Sequence, residues 1–153
     1  MKDTDQFDLD LTRDYSVSLD RLWQVITAPD QLIQWFGPEG VDLADCRLDF
    51  TRTGPWYCVM VGKESGNRFH VSGEVTSVRP PDGGAGSVGL TWGWHDPDGR
   101  RGHESHVMFT VSAIEGGARL LLSHRSLESI TSSQDHNRGW LSTLRSLDAY
   151  LGA

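Results

Sequence analysis

Residues 7–17 alternate between apolar and polar, with Arg13 alone out of step. Phe7, Leu9, Leu11, Tyr15 and Val17 fall on one parity, and Asp8, Asp10, Thr12, Asp14 and Ser16 on the other. A period of two predicts a strand with one buried face. The period then changes. Leu19, Leu22, Trp23 and Ile26 recur at i, i+3, i+4 and i+7 behind Ser18, which is suited to cap a helix. Pro29 suits the first position of a second short helix, with Leu32, Ile33 and Phe36 on its inner face and Gly37-Pro38 ending it.

From residue 41 to residue 126 the period is again mainly two, broken by turn chemistry. The turns are Thr53-Gly54-Pro55, Glu64-Ser65-Gly66-Asn67, Pro80-Pro81-Asp82-Gly83-Gly84, His95-Asp96-Pro97-Asp98-Gly99 and Glu115-Gly116-Gly117. Between them lie candidate strands near 41–52, 55–63, 68–79, 87–95, 103–114 and 118–125. Their short spacing predicts antiparallel hairpins rather than crossovers. The phase slips within 41–52, where Val41 and Leu43 are odd but Cys46, Leu48 and Phe50 are even, so a bulge is expected there.

The last segment is helical. Thr131 with Gln134 and Ser132 with Asp135 make capping-box pairs, and Trp140, Leu144, Leu147 and Leu151 follow on one stripe. The order is strand, two short helices, six strands and a long helix, an α+β arrangement with a seven-stranded antiparallel sheet. With only one long helix to cover its inner face, the sheet must curve. A curved sheet does not press flat on a cylinder, so a gap is expected between them. Gly73, Gly89 and Gly93, inside strands, allow such bending.

A chain of 153 residues fits one domain, here 1–153 with a core at about 7–152. Met1-Lys2-Asp3-Thr4-Asp5 has no apolar leader, and no apolar run approaches the ~20 residues of a membrane span, so a cytoplasmic protein without membrane insertion is expected. Cys46 and Cys58 form no C-x-x-C pair and read as reduced, half-buried thiols. The net charge of −7, with basic residues scattered, argues against nucleic acid.

Specific segments resemble the START/SRPBCC superfamily, the Bet v 1-like helix-grip fold. More closely they resemble the branch named for the heat-shock protein 90 ATPase activator homologue. The segments are Leu22-Trp23-Gln24-Val25-Ile26-Thr27, Leu32-Ile33-Gln34-Trp35-Phe36-Gly37-Pro38, Leu48-Asp49-Phe50 with Gly54-Pro55-Trp56, and Val71-Ser72-Gly73-Glu74-Val75 through Arg79-Pro80-Pro81. Gly116-Gly117-Ala118-Arg119-Leu120, His124 and Gly139-Trp140-Leu141-Ser142-Thr143-Leu144 complete the pattern. Ala118 stands where relatives usually carry Thr, and Ser77-Val78 where they carry an acidic-aliphatic pair. The resemblance implies a helix-grip scaffold with a ligand cavity. It supplies no shared catalytic residue.

The six tryptophans set the candidate chemistry. Trp92 and Trp94 share parity with Val88 and Leu90, so an aromatic wall with ring N–H groups is expected if that face is concave. Val107 and Phe109 form the inner face of the next strand, and Leu122 and His124 that of the one after. The candidate lining is Trp56, Trp92, Trp94, Val107, Phe109, Leu122, His124, Trp140 and Leu144. His103 and His106 look like a metal pair, but residues three apart on a strand face opposite sides, so no metal is expected. Glu104 and His106 belong on the solvated face. No G-x-S-x-G, phosphate loop or cofactor motif is present.

The preferred reading is a binder of a small hydrophobic or aromatic molecule, acting as carrier, sensor or scavenger, with no cofactor. Whether it is a monomer or a homodimer is left open. The alternative is a cavity enzyme, since the superfamily includes cyclases, aromatases and hydrolases; His124 is then the candidate acid–base. A third reading is a co-chaperone-like interaction module. In eukaryotic relatives that role also involves a second domain, for which 153 residues leave no room.

Overall fold

The first alternation becomes β1, Phe7–Tyr15, with apolar residues half-buried and the intervening aspartates exposed. The computed structural model describes residues 7–152; the Met1–Asp5 segment read above for a leader lies outside the described residues. Ser18 caps α1, Leu19–Thr27, its hydroxyl accepting the Arg21 N–H at 3.0 Å. Leu22, Val25 and Ile26 form the buried face of α1. Pro29 opens α2, Pro29–Trp35, at the position where its missing N–H costs nothing. Ile33, however, is exposed, and Trp35 takes the inward place with Leu32. Positions 32, 35 and 36 share one helical face, whereas position 33 lies about 100° round from 32.

Six strands follow: β2 Val41–Arg47, β3 Gly54–Gly62, β4 Arg68–Asp82, β5 Ala85–Trp94, β6 Ser105–Ile114 and β7 Gly117–Leu127. All neighbours pair antiparallel in one curved, open sheet of order β1-β7-β6-β5-β4-β3-β2. The phase slip read in β2 is an irregularity between Leu43 and Asp45. That strand stops at Arg47 rather than 52; Leu48 and Phe50 reach the core from beyond its end. The hairpin after β4 is tighter than its Pro-Pro-Asp-Gly-Gly signature suggests. β4 runs through both prolines, and Gly83 and Gly84 alone turn the chain, at φ +66° and +90°. Two consecutive left-handed residues match the twist of the flanking strands. The β4–β5 register slips between Arg79 and Asp82, where the prolines have no N–H to donate.

Gly73 has a steric role. A Cβ there would stand 2.0 Å from the Thr91 carbonyl oxygen. That same oxygen accepts the Trp56 indole N–H at 3.0 Å. The inner face is packed with Trp56, Val88, Leu90, Val107, Phe109, Val111, Leu120 and Leu122. Fully burying a side chain of this kind stabilises by roughly 1.5–3 kcal/mol.

The long helix, α3, spans Ile130–Leu151 and ends at Gly152, which is left-handed at φ +74°. Its cap is Ser129, whose hydroxyl accepts the Ser132 N–H at 3.0 Å. The expected capping boxes at Thr131 and Ser132 are thus displaced: both residues already lie in the first turn. The C-terminal half of α3 is tied down. Leu144 and Leu147 are buried, the Tyr15 hydroxyl donates to Asp148 at 2.7 Å, and Tyr150 donates to Gln31 at 2.6 Å. Arg145 reaches Glu39 at 2.9 Å. Among the described residues, no helix is long and apolar enough to cross a membrane.

Candidate functional site

The N-terminal half of α3 stands off the sheet and leaves a pocket of about 560 Å³. One wall is the helix face carrying Ser129, Ser132, His136, Gly139, Trp140 and Thr143. The other is built by Met60 of β3, Phe69 of β4 and Trp92 and Trp94 of β5, closed at one end by Phe36, Gly37 and Pro38. Phe69 is 45% exposed at the rim. A smaller recess of about 190 Å³ continues past Trp92, Trp94, Ser132 and His136 toward Ser105 and Glu128. Another depression, of about 820 Å³, follows Glu39–Ala44 and Lys63; it is mostly polar and lacks an aromatic wall comparable to the first.

Two histidines hold the helix to the sheet through indoles. The Trp140 indole N–H donates to His124 Nδ1 at 2.9 Å. The neutral ring therefore carries its proton on Nε2 and donates to the Ser105 hydroxyl at 2.7 Å. His136 has the opposite tautomer. Its Nδ1–H donates to the Ser132 carbonyl at 2.8 Å, leaving Nε2 to accept the Trp94 indole N–H at 3.0 Å. The two imidazoles meet edge to face, centroids 4.8 Å apart. Burial pushes the His124 pKa down to about 3, helped by the neighbouring His136 and His106. Burial also lowers that of His136.

Of the residues expected to line the gap, Trp92, Trp94 and Trp140 stand on the pocket wall. Trp56, Val107, Phe109, Leu122, His124 and Leu144 are buried in the packed layer, away from that lining. Phe109 stacks on Phe50 there, and Trp56 packs at a tilt against Trp92, with ring centroids 6.3 and 5.3 Å apart. His124 has both nitrogens engaged, which makes it a buried hydrogen-bond junction between β7, β6 and α3. Glu104 and His106 are exposed, as their parity indicates. No group of three or more metal-ligating side chains occurs among the described residues.

His136, Gly139, Met60, Phe69 and the Phe36–Pro38 bend also belong to the site, beyond the lining expected from the sequence. His136 and Thr143 were within reach, since 136, 140 and 143 continue the Trp140 stripe by one turn in each direction. Phe69 was within reach too, since it shares the parity of Val71 and Val75 in β4.

The pattern of a curved sheet, a closing helix and these motifs has a counterpart. The sequence profile of the family described as Activator of Hsp90 ATPase homolog 1-like protein matches residues 16–152. The chain belongs to this family. The segments from Leu22 to Leu144 that carry the resemblance all lie inside the matched span.

A crystal structure of another Hsp90 ATPase activator homolog 1-like protein, the AHSA1 (SPO3351) protein from Silicibacter pomeroyi, is 49% identical. It superposes with a TM-score of 0.88 over 95% of this chain and 97% of that one. Protein CV1439 from Chromobacterium violaceum, 18% identical, has a TM-score of 0.81 over 96% of this chain and 98% of its own. Protein Ms6760 from Mycobacterium smegmatis, 24% identical, has a TM-score of 0.75 over 99% and 95%. The last two show a shared fold. No functionally curated protein matches the chain.

Proposed function

We propose that this family member binds a small, largely apolar, aromatic molecule between α3 and the β3–β5 end of the sheet, as a carrier, sensor or scavenger. The observation that supports the reading is the convergence of three indoles, Trp92, Trp94 and Trp140, on an open pocket of about 560 Å³. Small-molecule sites are typically roughly 300–1,000 Å³, apolar, with a few fixed polar groups. Rigid aromatic walls offer a flat guest large contact area at little entropic cost. Ser129, Ser132 and Thr143 add hydroxyls on the helix side. The proposal sets this activity in the cytoplasm, where thiols such as Cys46 and Cys58 stay reduced.

Native mass spectrometry of the purified chain against lipid and aromatic panels tests it. The expected result is a one-to-one adduct with flat aromatic compounds, weakened by filling the pocket. No adduct across both panels overturns the reading.

A further inference from the structure

We infer that the molecule held in this pocket carries a neutral hydrogen-bond acceptor, a carbonyl or ether oxygen on a flat aromatic frame, which pairs with the indole N–H of Trp92. This rests on the binding reading above and names the chemistry of the guest. Trp92 Nε1 is the one buried side-chain polar atom without a hydrogen-bond partner among the described residues. The other strongly buried indoles all have acceptors: Trp35 donates to the Val25 carbonyl, Trp56 to that of Thr91 and Trp140 to His124. Half-buried Trp94 donates to His136. Natural proteins rarely leave such a donor unpaired, and where they do it calls for an explanation.

The surroundings offer Trp92 no acceptor. Its ring packs on Phe36, Trp56 and Trp140, with centroids 6.2, 5.3 and 5.1 Å away. The His124 ring is 5.6 Å off, but Trp140 and Ser105 occupy both its nitrogens. Trp92 is 4% exposed, yet it forms part of the wall of the main pocket and of the recess behind it. The donor itself is sealed from a water-sized probe, so a guest's oxygen reaches it as the indole shifts toward the pocket, and the pairing then breaks no bond from the indole to solvent. The acceptor is neutral because the lining contains no Lys or Arg, while the Asp135 carboxylate stands at its edge. An anion would enter an uncompensated apolar site, which is costly.

The test uses two dyes of one frame. Prodan is a dimethylaminonaphthalene bearing a ketone, and N,N-dimethyl-2-naphthylamine is the same frame without it. Each is titrated by fluorescence into the full chain and its Trp92→Phe variant, which keeps an aromatic ring but removes the donor. The expected result is a loss of about tenfold in Prodan affinity on substitution, with the ketone-free dye changed less than twofold. In wild-type protein labelled with 15N, one indole N–H resonance should move downfield with Prodan and stay in place with the ketone-free dye. That second readout stands even if the variant folds poorly. Equal losses for both dyes, or no Prodan-specific indole shift, overturn the acceptor inference and leave the pocket reading intact. Failure of both dyes to bind wild type overturns the two together.

Discussion

The Trp140 indole N–H donates to His124 Nδ1 at 2.9 Å, joining the long helix to the last strand inside the core. The bond exists only while the imidazole is neutral, because a protonated ring has no acceptor nitrogen. His124 is pushed down to about 3 by burial first and by nearby histidines second. In the unfolded chain the ring titrates near its ordinary 6.5, so the unfolded state binds the proton more readily. Stability is therefore complete above about pH 6.5 and declines as pH falls toward 3. From His124 alone, the chain should be about 2 kcal/mol less stable at pH 5 than at pH 7. Half-buried His136 acts in the same direction. Urea unfolding midpoints at the two pH values check this, and His124→Asn should flatten the dependence. A wild-type midpoint unchanged between them would contradict it.

Gly139 sits inside α3 on the pocket wall, and a Cβ placed there would meet nothing within 4 Å. Glycine in a helix interior costs about 1 kcal/mol relative to alanine. Gly139→Ala should thus raise stability by up to that amount, read as a higher Tm. Gly139→Phe should project a ring into the open space and lower the affinity for dimethylaminonaphthalene dyes at least tenfold while the chain stays folded. Unchanged dye affinity in the phenylalanine variant would place binding elsewhere.

Tyr15 closes the other end of the helix. Burial, and then the Asp148 carboxylate it faces, hold its phenol far above the ordinary value. Tyr15→Phe removes the 2.7 Å bond to Asp148 and should cost about 1–2 kcal/mol in denaturant unfolding. Dye binding, at the opposite end of α3, should change little.

Ser129→Ala removes the side-chain cap of α3 and should cost about 1 kcal/mol, whereas Thr131→Ala should leave stability nearly unchanged. Chemical denaturation of the two variants side by side distinguishes this cap from the capping boxes that the sequence suggests. A larger loss from Thr131 would reverse the assignment.

The parity of each strand was legible because one face meets the core and the other meets water. Hence His124, Val107 and Phe109 could be placed inward from the sequence, and His106 outward. Parity gives direction but not depth. It could not separate Trp92, on the pocket wall, from Phe109, buried where the core is solid, since that depends on where α3 leaves the sheet. The cap of α3 is hard to locate from sequence for a related reason. Hydroxyl residues at Ser129, Thr131, Ser132 and Ser133 offer several equivalent starts, and tertiary packing selects one. The apolar label of Ile33 suggests an inward position, but Trp35 satisfies both the helical spacing and a buried indole bond to Val25.

The two ends of α3 are fastened unequally. Toward its C-terminus the rod is bolted by a carboxylate, an amide and two buried leucines. Toward its N-terminus, two indole–imidazole clasps join its side chains to the strands. Widening the mouth thus needs one clasp, Trp94 to His136, to let go, with every rung of the sheet left in place. Trp94→Phe, which cuts that clasp, should therefore speed amide hydrogen exchange in the first turns of α3 more than in the strands.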